Sequence, residues 1–184
     1  IRNGNFFKNE VLLKTAEHVQ KNNSALNLVG ILTEGNVHAS FEHLESLVKF
    51  AVEQKIQNLN FHFFSDGKDG PQTFIHEQLK KIEALAKQYS IGTLSSICGR
   101  YYAMNRDGHW ELTKQTYDAL TGKSPAKELE ATIQETYGKN LSDEFIRPSF
   151  LTGGIPIQNG DAVFFFNFRE DSMRQITEPF TNPE

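Results

Sequence analysis

Apolar residues recur along the chain with two kinds of spacing, one typical of helices and one of buried strands. In residues 6–20 they form a stripe at positions 7, 11, 12, 16 and 19, which predicts an amphipathic helix. Similar stripes predict helices within residues 41–51, 75–86 and 110–120. Short runs of β-type and apolar residues predict strands in residues 26–32, 59–64, 93–98 and 162–168.

Capping and turn residues add detail to this pattern. Ser40 is a candidate N-cap for the helix over residues 41–51. Ser124 and Pro125 predict the start of a helix that includes Leu129, Ile133 and Tyr137. A strand is possible at residues 146–151, a turn at 159–160, and a short polar helix at 169–176.

The order of these elements predicts the fold class. Strand, loop and helix alternate about four times, which is typical of an α/β fold with a mostly parallel sheet flanked by helices in three layers. At 184 residues the chain is long enough for one sizeable core. We therefore expect residues 1–184 to form a single domain.

Composition narrows the classes of function. The chain is 38% hydrophobic and 23% charged, as expected for a globular protein. A net charge of −4 with no basic tract argues against nucleic acid as a partner. The longest apolar run, residues 162–166, is too short to cross a membrane.

Cysteine content and the first residue bear on where the protein works. The single cysteine, Cys98, excludes an internal disulfide, fits a reducing compartment and ends a strand where a core position is expected. No basic and apolar leader opens the chain, so we expect a cytoplasmic location. Because the chain begins with Ile1 rather than Met, we interpret it as a fragment or a processed chain.

Polar side chains of a recurrent kind follow each predicted strand. They are Glu34 and His38; Asp66, Lys68 and Asp69; Arg100 and Arg106; and Arg169 and Arg174. Because parallel strands end at the same edge of a sheet, these groups should converge. Arginines and a lysine suit an anion such as a phosphate or a carboxylate. A histidine or an aspartate could exchange a proton with a substrate hydroxyl.

Each of these residues also has a structural interpretation. A loop histidine such as His38 is often a hydrogen-bonded surface group, and Lys68 and Asp69 could be solvated charges. Arg169 and Arg174 could lie at a helix terminus. The sequence has no HExxH, paired CxxC, P-loop, GxGxxG or nucleophile-elbow motif. It therefore supports a binding half-site better than a complete active site.

Several motifs in order resemble the cofactor-independent (2,3-bisphosphoglycerate-independent) phosphoglycerate mutase family. They are GNFFKN (residues 4–9), GILTEGNVH (30–38), DGKD (66–69), GRYYAMNRD (99–107), DEF (143–145) and NFR (167–169). The resemblance covers essentially the whole chain. Motifs that keep the family's order are far more specific than any one of them.

The resemblance implies a division of labour between two domains. In that family, a metal-binding phosphatase-like domain carries a serine nucleophile and two divalent metal ions, usually manganese. A second, inserted phosphotransferase domain binds the glycerate, and this chain is similar to that domain. The implied reaction is the glycolytic isomerisation of 3-phosphoglycerate and 2-phosphoglycerate through a phosphoserine. The metal ions, the serine and the rest of the isomerase would then lie outside this chain, which would be inactive alone and would bind no cofactor.

The resemblance also implies roles for individual residues. His38 and Asp69 match positions that would transfer the hydroxyl proton. Arg100, Arg106 and Arg169 match substrate-holding arginines.

The motifs depart from the family pattern at several positions. Lys68 and Ser172 stand where the family has arginines, and Arg174 is a candidate to replace the missing charge. Glu34 and Ser40 replace an aspartate and a histidine of the family's first loop. An alternative is therefore a non-catalytic anion-binding module from a diverged homologue. An unrelated nucleotide-binding α/β domain is a third hypothesis, although it would lack a glycine-rich phosphate loop.

Overall fold

A computed structural model describes residues 1–182 of the chain. In chain order, its helices and strands are α1 (Glu10–Asn22), β1 (Leu26–Leu32), α2 (Phe41–Glu53), β2 (Leu59–Ser65), α3 (Ile75–Tyr89), β3 (Thr93–Gly99), α4 (Arg100–Ala103), α5 (Trp110–Leu120), α6 (Leu129–Tyr137), β4 (Ser149–Phe150), β5 (Ala162–Phe165) and α7 (Arg174–Thr181). Single 3-10 turns occupy Asn5–Lys8, Asp143–Phe145 and Glu170–Ser172. Within these residues, no helix combines the length and the apolar character that a membrane span requires.

The strands form one sheet in the order β4-β3-β2-β1-β5. All neighbours are parallel except β3 and β4, which are antiparallel. Every residue of β1 and β2 is buried, as expected for strands covered on both faces by helices. The predicted three-layer α/β fold is confirmed.

The strand register aligns the ends of three neighbouring strands. Leu32 lies opposite Ser65, and Ser65 lies opposite Gly99, so β1, β2 and β3 end at the same level. β5 ends at Phe165 rather than at the predicted residue 168. The main-chain amide of Phe166 still donates to Val29, but at the next step the side chain of Asn167 takes over and accepts from the amide of Ile31 at 2.9 Å. The chain can therefore leave the sheet beside β1.

Two predicted helix starts differ from the structure. Ser40 occupies the N-cap position of α2, but its side chain makes no capping hydrogen bond. Ser124 and Pro125 do not begin a helix, because α6 starts only at Leu129. The intervening segment is extended, since Lys127 exchanges main-chain hydrogen bonds with Phe150 and Thr152. Pairing beside β4 thus outweighs the local capping signal.

Two other predictions are corrected at helix boundaries. Asn9 caps α1 by accepting from the amides of Val11 and Leu12, so the helix starts at Glu10 and the residues before Asn9 form a 3-10 turn. The helix predicted at residues 169–176 is divided into the 3-10 turn Glu170–Ser172 and α7.

A row of buried polar side chains crosses the centre of the sheet. The ring of His62 lies between Ser96 Oγ, 2.9 Å from Nδ1, and Asn27 Oδ1, 3.2 Å from Nε2. Asn60 donates to the same Asn27 oxygen at 3.1 Å. Because an amide oxygen only accepts, Nε2 carries the hydrogen and Nδ1 accepts from the serine. A one-residue slip would leave these groups unpaired, so the row helps to fix the register.

The buried position of His62 has a consequence for acid stability. Burial lowers the pKa of His62 from 6.5 to about 3, because there is little solvent to stabilise the imidazolium. Between these two values the unfolded chain binds a proton that the folded chain does not. The free energy of unfolding therefore rises with pH across this interval. The contribution of His62 is present above pH 6.5 and is lost as the pH falls toward 3.

We predict that the free energy of unfolding decreases as the pH is lowered below 6.5, with His62 contributing a slope of roughly 1 kcal/mol per pH unit. His62→Phe should be less stable at neutral pH, because Asn27 and Ser96 lose a partner, but its slope should be shallower. Urea unfolding at several pH values measures this. His109→Gln, a change at an exposed histidine, should keep the wild-type slope. An unchanged slope in His62→Phe would contradict the assignment.

Candidate functional site

The first residue after β3, Arg100, gathers side chains from the two neighbouring loops. Its Nη1 donates to Asp66 Oδ1 and to Asp69 Oδ2, each at 2.6 Å. Its Nη2 lies 2.9 Å from His38 Nε2. We call these four residues the Arg100 cluster. Three predicted site residues, His38, Asp69 and Arg100, are thus in direct contact at the carboxyl edge of the sheet.

Asp66 is the most heavily hydrogen-bonded member of the cluster. It accepts from Thr33 Oγ1 at 2.6 Å and from the main-chain amide of Asp69 at 3.0 Å, in addition to Arg100. Burial alone would raise its pKa, but these hydrogen bonds and the guanidinium charge lower it below the ordinary value. Burial would likewise lower the pKa of Arg100, whereas Asp69 and Asp66 raise it. Asp66 and Arg100 are therefore both charged and tie three loops together.

His38 forms the link between the cluster and the segment after β5. Its Nε2 is 3.2 Å from Asp69 Oδ2, and its Nδ1 is 3.3 Å from Ser172 Oγ. Its main-chain oxygen accepts from the amide of Phe168 at 2.8 Å. Burial and then the charge of Arg100 lower the pKa of His38, against an opposite effect of Asp69. The imidazole is therefore neutral at pH 7 and can accept a proton.

Two further predicted arginines meet on the exposed side of the cluster. Arg106 and Arg169 both form ion pairs with Asp171, and Arg169 Nε lies 3.1 Å from its Oδ1. We call them the exposed arginines, because their side chains are 52% and 45% accessible. An anion from solution can compete with Asp171 for both guanidinium groups.

The other two predicted cations are placed differently. Lys68 Nζ lies 3.7 Å from Glu144 Oε1 on the surface. Arg174 Nη2 donates to Glu170 Oε1 at 2.6 Å, and its side chain is 73% accessible. The main-chain amide of Lys68 donates to Asp66 Oδ1 at 3.3 Å, but neither cationic side chain has a contact with the Arg100 cluster. Their substrate-binding roles remain predictions without a supporting contact.

The 3-10 turn at Asp143–Phe145 hydrogen-bonds to the elements that carry the site. Asp143 Oδ2 accepts from the amides of Phe74 and Ile75, at 2.6 and 2.8 Å, and so caps α3, whose own N-cap residue makes no side-chain bond. Its Oδ1 accepts from Tyr137 Oη at 2.5 Å. Its main-chain oxygen accepts from Ser65 Oγ, at the end of β2, at 2.7 Å. One turn thus joins β2, α3 and α6.

The same turn touches two loops of the site closely. Gly67 adopts φ 68°, and a Cβ there would lie 2.6 Å from the main-chain nitrogen of Glu144. A Cβ on Gly99 would lie 2.2 Å from the main-chain oxygen of Glu144. Phe145 also contacts the ring of Tyr101, with centroids 5.2 Å apart. The turn therefore sets the positions of the loop bearing Asp69 and of the chain bearing Arg100.

Two residues of this arrangement, Asp143 and Asp171, were not predicted as site residues. Asp66 was predicted among the converging polar groups, without its role as an ion-pair partner of Arg100, and Ser172 was noted only as a departure from the family pattern. Asp143 belongs to a motif that marks the family resemblance, and that was its only signal. Asp171 and Ser172 reach the site through a 3-10 turn that residue spacing does not predict.

Cys98 is buried as predicted, and burial raises the pKa of its thiol to about 12. It is therefore unreactive at neutral pH.

Among residues 1–182, no three His, Cys, Asp or Glu side chains are placed so that they could hold a metal ion. The manganese ions implied by the resemblance do not fit this edge, where Arg100 occupies the inner side of the carboxylates. We assign no chemical step in this chain to a metal.

Comparisons with known proteins match the whole chain to one family. A family described as "BPG-independent PGAM N-terminus" matches residues 1–184. The 2,3-bisphosphoglycerate-independent phosphoglycerate mutase of Clostridium beijerinckii is 40% identical over 190 residues, which cover 100% of this chain and 37% of that protein. Phosphoglycerate mutase 2 of Methanosarcina acetivorans is 38% identical, with the same coverage. The chain therefore spans 37% of the length of these curated relatives.

A solved structure has the same fold. A crystal structure of Leishmania mexicana phosphoglycerate mutase at low cobalt concentration matches with a TM-score of 0.91. The match covers 100% of this chain and 36% of that chain, at 22% sequence identity. At this identity the match bears on the fold alone.

The contact between Gly99 and the Asp143–Phe145 turn leads to a prediction. Gly99→Ala should lower the free energy of unfolding by about 1–3 kcal/mol, because the new methyl group meets rigid backbone. Gly70→Ala is the matched control in the same region, since a Cβ there has only ordinary contact with Asp66 at 3.6 Å. Chemical denaturation measures both changes. Equal stability of the two variants would contradict the inference that the turn leaves no room for a side chain at Gly99.

Proposed function

The chain belongs to the family of BPG-independent phosphoglycerate mutase N-termini, and from this premise we propose that it binds the glycerate during interconversion of 3-phosphoglycerate and 2-phosphoglycerate. We further propose that residues 1–184 form the inserted phosphotransferase domain of such a mutase. The observation that carries the proposal is the meeting of the Arg100 cluster with the exposed arginines at one edge of the sheet.

The exposed arginines suit the anionic end of the substrate. Each presents a planar fork of donors that matches a carboxylate or phosphate. In the unliganded chain both share the single carboxylate of Asp171. Binding of phosphoglycerate would replace these ion pairs with new ones, so the charges would never be left without a partner. Arg106 and Arg169 are therefore proposed as substrate-binding residues.

Arg100 has a different proposed role. Its side chain is only 11% accessible, and it already donates to Asp66, Asp69 and His38. Any contact with substrate would add to these bonds rather than replace them. We propose that it contributes chiefly by holding Asp69 and His38 in place and by balancing the charge of the carboxylates.

His38 and Asp69 are proposed to transfer the hydroxyl proton. The hydroxyl that receives the phosphoryl group must lose its proton, and a positioned base speeds this step. The side chain of Asp69 is 25% accessible and that of His38 is 6% accessible, so the carboxylate is the outer acceptor. Asp69 Oδ2 lies 3.2 Å from His38 Nε2, so a proton accepted by the carboxylate can be shared with the ring.

The rest of the reaction is proposed to take place on another domain. The serine that carries the phosphoryl group and the divalent metal ions would belong to that domain, as the family resemblance implies. This chain would retain the glycerate while it reorients between the two transfers. Retention avoids a second bimolecular encounter and its entropy cost. The missing domain is thus the proposed protein partner, and glycolysis in the cytoplasm is the proposed setting.

The alternative hypotheses are less well supported. Lys68 and Ser172 motivated a non-catalytic module, but the relatives that share 38–40% of their residues with this chain are named as mutases. Ser172 is also integrated into the site through its contact with His38. No glycine-rich phosphate loop supports a nucleotide-binding domain.

We predict that 3-phosphoglycerate binds this chain and shifts NMR signals of the Arg100 cluster and of the exposed arginines. Arg106→Ala should weaken binding about tenfold or more, because one charged hydrogen-bonding group contributes roughly 1.5–3 kcal/mol. A titration followed by amide chemical shifts measures the dissociation constant. Lys114→Ala, a change at an exposed cation on α5 that pairs with Asp118, should bind like wild type. Equal weakening in both variants would indicate non-specific charge attraction.

We also predict that this chain alone does not convert 3-phosphoglycerate to 2-phosphoglycerate. The proposed nucleophile belongs to another domain, and Ser172 is buried rather than exposed to substrate. A coupled enolase assay on the purified chain tests this. Turnover that survives repurification and is lost in Asp69→Asn would show that the chain carries its own nucleophile.

A further inference from the structure

The two ring nitrogens of His38 face different chemical groups. Nε2 lies 2.9 Å from Arg100 Nη2 and 3.2 Å from Asp69 Oδ2. Nδ1 lies 3.3 Å from Ser172 Oγ. Ser172 is only 2% accessible, and its hydroxyl is 3.1 Å from the main-chain oxygen of Arg169. These contacts allow the hydrogens to be assigned.

The hydroxyl of Ser172 has one hydrogen and two possible recipients. The main-chain oxygen of Arg169 can only accept and lies 3.1 Å from the serine hydroxyl, so the hydroxyl hydrogen is directed there in addition to the Ser172 amide of the 3-10 turn. Ser172 Oγ then presents a lone pair to His38, and Nδ1 must carry the ring hydrogen. On the other side of the ring, Arg100 has only donors, so Nε2 must accept. The two constraints agree.

The opposite tautomer satisfies fewer groups. A hydrogen on Nε2 would point toward Asp69, but it would also oppose the N–H of Arg100 at 2.9 Å. Nδ1 would then take the hydroxyl hydrogen of Ser172, and this would remove the bond to Arg169. The loss of the hydroxyl bond and the opposition of two N–H groups would each carry a free-energy penalty.

We propose that Ser172 is a positioning residue that holds His38 in the tautomer with its hydrogen on Nδ1, which leaves Nε2 as the free base beside Asp69. The tautomer assignment stands on the contacts of this chain, whereas its catalytic meaning rests on the proposed function. Ser172 itself does not touch the substrate. It acts through His38.

This tautomer prepares the site to receive a proton. Nε2 and Asp69 Oδ2 both present lone pairs, and Arg100 donates to each of them. They cannot hydrogen-bond to each other until a proton arrives. A proton released by a substrate hydroxyl would displace the Arg100 N–H from the single lone pair of Nε2 and bridge the ring to Asp69, while Nδ1–H remains bonded to Ser172. The charged groups that act on the ring from the surrounding elements are Arg100, Asp69, Arg169 and Asp171.

The proposal is tested by nitrogen NMR of the histidine side chains in this chain without ligand. Ring nitrogens with and without a hydrogen have widely separated chemical shifts, and His38→Gln identifies the signals of His38. In wild type at neutral pH we expect Nδ1 to be protonated and Nε2 to be unprotonated. In Ser172→Ala the ratio of the two tautomers should move toward the other form by about fivefold to tenfold, the equivalent of one hydrogen bond.

Two further variants separate positioning from packing. Ser172→Thr retains a hydroxyl and should restore the wild-type pattern. Ser149→Ala is the matched control, because Ser149 is also buried and its hydroxyl donates to a main-chain oxygen, that of Arg147, at 3.0 Å. It should leave the signals of His38 unchanged.

The proposal is overturned if wild type carries its hydrogen on Nε2, or if folded Ser172→Ala keeps the wild-type ratio. If Ser172→Ala does not fold, the wild-type spectrum and Ser172→Thr still decide. Addition of 3-phosphoglycerate to the same samples tests the proposed function separately. Failure to bind would contradict that function and leave the tautomer result intact.

Discussion

The guanidinium group of Arg100 is the interaction on which the site depends. It is only 11% accessible and joins carboxylates of the loop after β2 to the imidazole in the loop after β1. A buried cation without such partners would destabilise the fold, and the buried carboxylate of Asp66 without the cation would do the same. The three loops therefore have few alternative arrangements. The positions of His38 and Asp69 follow from the need to keep Arg100 paired.

The carboxyl edge of the sheet carries two kinds of charged side chain, one nearly buried and one accessible to solvent. Arg100 and Asp66 are nearly buried and satisfied within the chain, so they organise the loops. Arg106 and Arg169 are about half accessible and share one carboxylate, so they can exchange that partner for a ligand. The Asp143–Phe145 turn fixes the loop bearing Asp66 and the chain bearing Arg100 by packing against Gly67 and Gly99. A rigid interior thus presents exchangeable cations, an arrangement suited to recognition of a small anion.

The sequence predicted the sheet well because short strand-forming runs alternate with amphipathic helical stripes along the chain. The bounds of β1 and the convergence of His38, Asp69 and Arg100 follow from that pattern and from the geometry of parallel strands. Spacing could not predict the start of α6, because Lys127 pairs with a strand more than twenty residues away in the chain. It could not separate Arg106 from Arg174 either. Their different placements follow from their ion-pair partners, which are Asp171 for Arg106 and Glu170 for Arg174.

The most direct test of the account is a crystal structure of this chain soaked with 3-phosphoglycerate. The account predicts an anionic group of the ligand within hydrogen-bond distance of Arg106 and Arg169, with Asp171 released from at least one of them. It also predicts a ligand hydroxyl facing Asp69, with Arg100 still bonded to His38, Asp66 and Asp69. A ligand bound elsewhere, or bound with both Asp171 ion pairs intact, would contradict the claim that this edge is the glycerate site.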